Sequence, residues 1–468
     1  MLTYVLDGNR SGCLYERLYN CIKEDILTQV LQAGEKLPSK RSLASHLQIS
    51  TMTVETAYGQ LLAEGYIYSV AKKGFYVSPF SNHGRISQRR APQSLPVTKT
   101  AETVYFADFV SNEIQPEMFP FAAWTKTMRA VMAEEQEQLV RCTPAGGALA
   151  LRLAICDHLR HFRGMYVEPE QVIVGAGTEY LYGLLIRFFG PERVYCLEDP
   201  GYAKMRMIYA YNNAACVYAG VSDDGIKMAD VRRQLADVVH ISPSHQFPTG
   251  LIMPIAKRYE LLSWANECDG RHILEDEYDS EFRFTGRPIP TLFSIDASGK
   301  VIYMNTFSKS LSPTIRISYL VLPPELVLPF KEKLGFLSCT VSNFEQYTLA
   351  RFMGDGFFER HLNHVRTAYR HKRDHLIRAL KRSPLSKKTE IIEASAGLHF
   401  LLQADIEDAD AQVIERCRKE GLRLTSLSQY YFNPLSQREH TFIINYSTLE
   451  ETRIDEAVRK LCRAMLRC

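Results

Sequence analysis

The sequence predicts an α/β protein in two parts: a small N-terminal domain of three helices and a β-hairpin, and a larger domain built on a parallel β-sheet. Three observations lead to this prediction. Within the first 80 residues, apolar residues recur with helical spacing and then in two strand-like runs. A polar, proline-containing segment follows. From about residue 105, short apolar strands alternate with helices, as in a parallel sheet covered by helices.

The composition is that of a folded globular protein. Of its 468 residues, 46% are hydrophobic and 23% are charged, which are ordinary values. No apolar run reaches the roughly 20 residues that cross a bilayer, and the N-terminus lacks the pattern of a secretion signal. Eleven cysteines are scattered without CxxC pairs, which favours reduced thiols over metal binding. We therefore expect a cytoplasmic location, no membrane association and no metal site.

The first helix is predicted from a repeat of leucine and isoleucine. These residues recur every four positions from Leu14 to Ile26, and Val30 continues the series. This spacing gives one apolar face of a helix over about residues 12–31.

Two more helices and a hairpin complete the small domain. Ser39 is predicted to cap a short second helix, and Gly65 to end a third helix with the sequence TMTVETAYGQLLAEG. The run YIYSVAKKGFYV predicts two strands around a basic tip. Three helices and a hairpin make a winged helix-turn-helix, whose third helix suits the DNA major groove. We therefore predict a DNA-binding domain over residues 1–80.

The net charge of +3 is too small to reveal a nucleic-acid binder, so the local placement of basic residues has to support DNA binding. The alternative is a small helical subdomain with a solvated charged loop. The predicted contacts to duplex DNA lie at the starts of the second and third helices and at the hairpin tip: Lys40, Arg41, Thr51, Thr53, Lys72 and Lys73.

Residues 81–104 are predicted to be a basic, proline-containing linker. The segment is polar and has no apolar periodicity. It carries Arg85, Arg89, Arg90 and Lys99, with no acid before residue 101. Contact with DNA phosphates and a merely solvated tether are both open interpretations.

The larger domain, residues 105–468, shows five apolar runs that each end in a polar or small-residue turn. They are VIVGAGT, RVYCLED, VVHISPS, HILEDEY and VIYMNTFS. Buried parallel strands have this pattern, and ligands of such sheets bind at the carboxyl ends of the strands. The chemically suggestive residues follow these runs.

Lys309 is the most informative of these residues. It follows Thr306 by three positions and precedes Arg316 by seven. This arrangement is expected around a pyridoxal 5′-phosphate (PLP) Schiff base. The lysine amine captures the aldehyde of the cofactor, while the hydroxyl and the guanidinium bind its phosphate. A lysine considered by itself is usually a surface residue. The prediction therefore depends on other cofactor motifs that precede Lys309 in the expected order.

Three upstream motifs fit the same cofactor. Gly177 and Thr178 open a helix whose N-terminus favours a phosphate. Tyr202, after a Pro-Gly turn, can stack on an aromatic ring. Asp276 and Tyr278 share one side if the strand continues to residue 278, and a carboxylate suits the pyridine nitrogen and a phenol the ring oxygen. Each motif alone also fits a turn, core packing or a solvated acidic loop.

The two halves resemble known families. Residues 12–80 resemble the GntR family of bacterial repressors in LPSKRSLASHL, TVETAYGQLLAEGY and KKGFYV. Residues 105–465 resemble fold-type I PLP enzymes of the aspartate aminotransferase family. The whole chain resembles the MocR subfamily of GntR regulators, notably in SPSHQFPTG, EDEYDSEF and TFSKSLSP. The resemblance implies a winged helix-turn-helix fused to a fold-type I aminotransferase-like domain, and a domain-swapped homodimer.

The resemblance also implies roles for individual residues. PLP would be held on Lys309, with its ring nitrogen on Asp276, its ring oxygen on Tyr278 and its ring against Tyr202. The implied phosphate contacts are Gly177, Thr178, Thr306, Ser308 and Arg316.

Four positions depart from the related patterns. Phe247 stands where aminotransferases usually have Asn, and Ile443 where they usually have Arg. GABA-responsive members of the subfamily have Arg at two effector-carboxylate positions, where this chain has Lys204 and Gln429. Because these departures disfavour efficient transamination, the predicted function is regulation rather than catalysis.

The predicted protein is a PLP-dependent transcriptional regulator that senses PLP itself, or a small amine or amino acid, at Lys309. One alternative is an aminotransferase with an accessory DNA-binding domain. Another is a regulator whose pocket no longer binds PLP.

Overall fold

The structure is a computed structural model that describes residues 2–4, 6, 13–79, 104–111, 113–284 and 289–466. The chain divides into two units, residues 1–101 and 102–468. The predicted linker, residues 81–104, lies outside the described residues except for Val104.

The first unit has the predicted three helices and hairpin. Two serines fix the helix starts: the Ser39 hydroxyl accepts a hydrogen bond from the Ser42 backbone N–H, and the Ser50 hydroxyl accepts one from that of Thr53. The elements are α1 Leu14–Leu27, α2 Lys40–Leu47, α3 Thr51–Ala63, β1 Ile67–Val70 and β2 Gly74–Val77. The two strands pair antiparallel, as a wing requires.

The first helix is shorter than its apolar repeat predicts. It ends at Leu27, and Gln29 takes a left-handed backbone conformation with φ of 63°. The chain turns there, so Val30 is exposed and Leu31 enters the core with Leu18 and Ile22. The prediction of a helix to residue 31 was wrong, because an apolar repeat of four residues continues through the turn and gives no sign of it.

The second unit contains an eight-stranded sheet in the order β4-β11-β10-β9-β8-β5-β6-β7. Its five central strands from β10 to β6 are parallel neighbours, while β11 runs antiparallel between β4 and β10. The strands of this unit up to β11 are β3 Ala107–Asp108, β4 Val172–Gly175, β5 Val194–Asp199, β6 Ala215–Ser222, β7 Gly225–Ile226, β8 Val238–Ile241, β9 His272–Glu277, β10 Val301–Thr306 and β11 Ser318–Val321.

A second, antiparallel sheet has the order β12-β13-β16-β15. Its strands and the remaining one are β12 Thr389–Ile392, β13 His399–Ala404, β14 Leu422–Arg423, β15 Thr425–Ser426 and β16 Thr441–Asn445. Strand β14 pairs separately, in parallel with β3, and this pairing sets Arg423 opposite Asp108.

Helices cover both faces of the large sheet, because alternate strand residues are apolar on each side. Val174 and Tyr303 pack with Leu151 in one core cluster, whereas Ile173 and Met304 pack with residues of α7 in another. The helices are α4 Phe121–Glu134, α5 Gln136–Leu139, α6 Leu149–Arg163, α7 Thr178–Phe189, α8 Ala203–Tyr211, α9 Met228–Arg233, α10 Ile255–Asn266, α11 Leu292–Ile295, α12 Phe307–Ser310, α13 Pro324–Leu334, α14 Asn343–Gly354, α15 Phe357–Arg382, α16 Asp410–Lys419 and α17 Ile454–Leu466. The α/β fold class is thus confirmed.

None of the helices that the structure describes is long and apolar enough to span a membrane. The described residues also include no group of three or more His, Cys, Asp or Glu side chains placed to hold a metal ion.

Candidate functional site

A cavity of about 540 Å³ lies at the carboxyl ends of β5, β8, β9 and β10 and at the start of α7. Most residues predicted from the cofactor motifs line it: Thr178, Tyr202, Asp276, Tyr278, Thr306, Ser308, Lys309 and Arg316. Gly177 is the remaining one, and it lies against the Arg316 guanidinium. The fold therefore brings together residues that are up to 139 positions apart in the sequence.

Lys309 lies on the short helix α12, directly after β10. The Thr306 hydroxyl begins this helix by accepting a hydrogen bond of 3.1 Å from the Ser308 backbone N–H. Burial lowers the pKa of Lys309 to about 8, and the carboxylate of Asp279 opposes this shift. A substantial share of the amine is thus neutral near pH 8, as a nucleophilic lysine requires.

Asp276 is the penultimate residue of β9, and its carboxylate is buried. Its Oδ2 accepts a hydrogen bond from the Tyr182 hydroxyl and lies 3.6 Å from Nε2 of His240. Its Oδ1 is buried and has no hydrogen-bond partner among the described residues. A buried acceptor without a donor is costly, so this oxygen suits a ligand that brings an N–H.

Tyr182 was missed by the sequence reasoning, although a signal was present. It lies four residues after Thr178 on α7, so both side chains share one face of the helix. Burial and the Asp276 carboxylate raise the pKa of Tyr182 well above its usual value, which keeps its hydroxyl a donor.

Groups suited to an anion gather around Gly177, at the start of α7, and are called the anion site below. Gly177 has φ of 90°, and a Cβ there would lie 2.2 Å from Nη2 of Arg316. Only glycine thus allows the guanidinium to reach the helix N-terminus. The Thr306 hydroxyl oxygen lies 3.0 Å from that of Ser308, which adds two hydroxyl groups to the same cavity. The N-terminus of α7, the Arg316 guanidinium and the two hydroxyl groups together suit a phosphate.

Aromatic rings form another part of the cavity wall. The Phe247 ring meets Tyr202 edge to face with centroids 5.8 Å apart, and Tyr278 at 6.4 Å. No side-chain amide is therefore offered at position 247. The Tyr278 hydroxyl oxygen lies 3.0 Å from Nδ1 of His245.

The predicted effector positions lie outside the residues that line the cavity. Lys204 forms an ion pair with Glu179, and Gln429 accepts a hydrogen bond from the Thr425 hydroxyl. Ile443 is buried in an apolar cluster with Leu401.

Arg423 is a cavity-lining cation that the sequence reasoning missed. Its Nη1 lies 3.1 Å from Oδ2 of Asp108. No sequence signal pointed to it, because β3 and β14 are strands of two residues each.

Glu198 adds a buried acid to the wall of the cavity. Its Oε2 accepts a hydrogen bond of 3.2 Å from the Ser242 backbone N–H. Burial raises the pKa of Glu198 to about 8, so the group is mostly uncharged at neutral pH.

The predicted DNA contacts lie on the first unit. Lys72, Lys73, Arg41 and Thr51 are exposed. Lys40 forms an ion pair of 2.6 Å with Glu55, and the Thr53 hydroxyl lies 2.7 Å from that of Ser50.

Two family models match the chain. Residues 108–461 match aminotransferases of class I and II, and residues 14–77 match the bacterial regulatory proteins of the gntR family. The chain is also 31% identical to the probable rhizopine catabolism regulatory protein MocR of Rhizobium meliloti, over 99% of this chain and 96% of that protein. The chain belongs to the MocR subfamily of GntR transcriptional regulators.

Other relatives match this MocR-type regulator over more than nine-tenths of their own length. It is 37% identical to the uncharacterised HTH-type transcriptional regulator YdeL of Bacillus subtilis, over 96% of each chain. It is 29% identical to the HTH-type pyridoxine biosynthesis regulator PdxR of Corynebacterium glutamicum, over 92% of this chain and 91% of that one. These relatives carry the names of regulators, which places the chain among regulators rather than enzymes.

Solved aminotransferases share the fold of the larger unit. A multiple substrate aminotransferase from Thermococcus profundus matches with a TM-score of 0.69 and 23% identity, over 83% of this chain and 97% of that one.

Proposed function

We propose that this regulator binds duplex promoter DNA through residues 1–80 and holds PLP on Lys309 in the cavity. A small effector, either PLP itself or an amine or amino acid, changes promoter occupancy. One observation carries the proposal: the Lys309 amine, the unpartnered buried Asp276 oxygen and the anion site at Gly177 meet in one cavity. Residues 81–104 would link the DNA-binding domain to residues 105–468.

When bound, PLP supplies an aldehyde that condenses with an amine and a ring that withdraws electrons. Lys309 would hold the aldehyde carbon, and Asp276 would accept the hydrogen of the ring nitrogen. Tyr278 would donate its hydroxyl hydrogen to the ring oxygen, and Tyr202 would lie against the ring. The phosphate would bind to Gly177, Thr178, Thr306, Ser308 and Arg316.

The effector class is left open by the family, because the names of two relatives refer to rhizopine catabolism and to pyridoxine biosynthesis. For an effector with an acid group, we propose Arg423 as the binding residue. It lines the cavity and is not part of the anion site, whereas Lys204 does not line the cavity.

We also propose a domain-swapped homodimer in the cytoplasm. The proposal follows from the resemblance to fold-type I dimers and from the DNA partner. Light scattering on the purified chain would test it, since a monomer at micromolar concentration would contradict the dimer.

Borohydride labelling tests the cofactor proposal. Wild-type protein incubated with PLP should absorb visible light and, after reduction, carry a stable mass addition on the peptide with Lys309. Lys309→Ala should lose both signals and keep its fold. Lys204→Ala, which changes a lysine outside the cavity lining, should keep them. A wild type that takes up no PLP, or a labelled Lys309→Ala variant, would refute the proposal.

A salt titration tests the DNA-binding proposal. Replacing Lys72 and Lys73 with Ala should weaken promoter binding equally across sequences and reduce the salt slope by about 0.9 for each phosphate that the wing no longer neutralises. Replacing Lys381 and Lys387, two exposed lysines of the larger unit, removes the same charge and should leave the slope unchanged. Equal slopes for both double variants would show that the wing does not bind phosphate.

A further inference from the structure

A buried hydrogen-bonded group lies behind the Tyr278 hydroxyl. His245 is 3% exposed, and its Nδ1 lies 2.9 Å from Oδ2 of Asp279, which is 2% exposed. The same Nδ1 lies 3.0 Å from the Tyr278 oxygen. One ring nitrogen therefore contacts both a carboxylate and a phenol.

The position of the His245 hydrogen follows from these two distances. A carboxylate offers only acceptors, so a bare Nδ1 would set its lone pair against that of Asp279 at 2.9 Å. With its hydrogen on Nδ1, His245 donates to Asp279 and, in a shared bond, to the Tyr278 oxygen. In that form Nδ1 cannot accept the hydroxyl hydrogen of Tyr278.

The Tyr278 hydrogen then has no acceptor in the part of the chain that the structure describes. Among the described residues, His245 is the one hydrogen-bond partner of this hydroxyl. Tyr278 lines the cavity, so its hydrogen is available to a ligand there. We propose that His245, held by Asp279 with its hydrogen on Nδ1, is a positioning residue that directs the Tyr278 hydroxyl hydrogen to an acceptor of the bound cofactor. This inference rests on the proposed cofactor binding.

Packing holds the His245 ring in this position. Gly397 has φ of 70°, and a Cβ there would lie 1.8 Å from Cε1 of His245, so the backbone is in close contact with the ring. On another side, His245 lines a cavity of about 10 Å³ together with Ser280. The Ser280 hydroxyl and Nε2 of His245 have no hydrogen-bond partner among the described residues. That volume holds at most one water, which can join the hydroxyl donor to Nε2.

The surrounding charges keep Tyr278 a donor. Its pKa is raised well above the usual value by burial and by nearby carboxylates. Burial lowers the pKa of His399 to about 3, so this ring, 4.7 Å from that of His245, stays neutral. The titratable groups that act on Tyr278 or His245 are Glu198, Asp276, Glu277, Asp279, Glu393 and His399.

The pH dependence of the bound-cofactor absorbance tests the inference. A hydrogen bond donated to the ring oxygen stabilises the form that has lost its proton, so losing this bond raises the pH midpoint of the absorbance change. Tyr278→Phe should raise the midpoint by at least about one pH unit, which equals about 1.4 kcal/mol. Asp279→Asn should raise it by about as much, because an amide, unlike a carboxylate, does not require a hydrogen on Nδ1, and a bare Nδ1 would accept the Tyr278 hydrogen in place of the cofactor.

Two changes at position 245 separate positioning from packing. His245→Ala should raise the midpoint as Asp279→Asn does. His245→Asn places an amide N–H near the position of Nδ1 and should keep the midpoint close to wild type. Asp410→Asn alters an acid of similar burial that bonds Ser428 and the His440 backbone, and it should have no effect.

The outcomes distinguish the two proposals. A wild type without cofactor absorbance would refute cofactor binding itself. The positioning role would be refuted if the wild type binds cofactor and Tyr278→Phe raises the pH midpoint, but His245→Ala and Asp279→Asn leave the midpoint unchanged. An unshifted Tyr278→Phe would refute it as well, since the hydroxyl would then make no bond to the cofactor.

Discussion

Two walls of the same cavity are built in different ways. The wall that we propose for the cofactor, here called the cofactor wall, includes Gly177, Asp276, Thr306 and Lys309, and it lies at the ends of buried strands and the start of a twelve-residue helix. The wall that we propose for an effector, here called the effector wall, is formed by Ser111, Glu113, Arg423 and Phe432. It comes from short strands and loops, and its Glu113 and Arg423 are exposed. Side chains at the buried ends of strands are held in fixed positions, whereas an exposed ion pair contributes little to stability and can be replaced by other residues. We therefore expect substitutions at the cofactor wall to have larger effects than substitutions at the effector wall.

The largest expected effect is at the cofactor wall. Asp276→Ala removes the acceptor for the ring nitrogen, and a hydrogen bond between charged groups contributes about 1.5–3 kcal/mol. The dissociation constant of PLP should rise about ten- to a hundredfold. Absorbance titration measures it, with Asp410→Ala as a control at a buried acid outside the cavity lining. Unchanged affinity would make Asp276 a structural acid only.

A pH series tests the Lys309 amine on the same wall. Because the pKa of Lys309 is lowered to about 8, its neutral fraction rises as pH increases and levels off above that value. The rate of PLP attachment should thus rise about fiftyfold between pH 6 and 8 and then flatten. Stopped-flow absorbance gives the rate. A rise that continues to pH 10 would indicate an ordinary lysine.

Gly177→Ala sharpens the comparison through the phosphate. The new methyl group would displace Arg316 and strain a backbone with φ of 90°, at a cost of about 1–3 kcal/mol. Affinity for PLP should fall by about tenfold. Affinity for pyridoxal, which has no phosphate, should change little. Equal losses for both ligands would mean general damage rather than a lost anion site.

The smallest effect is expected at the effector wall. Arg423 is half exposed and paired with Asp108, so it should contribute about 0.2–1 kcal/mol to an acid group, or up to about fivefold in affinity. In Arg423→Ala, 4-aminobutanoate should perturb the bound-cofactor absorbance more weakly, and n-butylamine equally well. A loss for both amines would contradict a role in acid recognition.

Sequence reasoning reached the cofactor wall because its residues follow recognisable strands and turns. It predicted the helix start at Ser39 for the same local reason. Partners that meet through the fold escaped it: Tyr182 and Asp276 are 94 residues apart, and Asp108 and Arg423 are 315 apart. The helix end at Leu27 escaped it because a single left-handed residue, Gln29, interrupts an unbroken apolar repeat.

The pairing of β3 with β14 has a consequence for how a signal can travel. Asp108 bonds Arg423 on one side, and its other carboxylate oxygen accepts hydrogen bonds from the backbone N–H groups of Val110 and Ser111. This one side chain thus joins the effector wall to the chain segment that immediately follows the predicted linker. A ligand that drew Arg423 away from Asp108 would disturb the anchor from which the chain leads back to the DNA-binding domain.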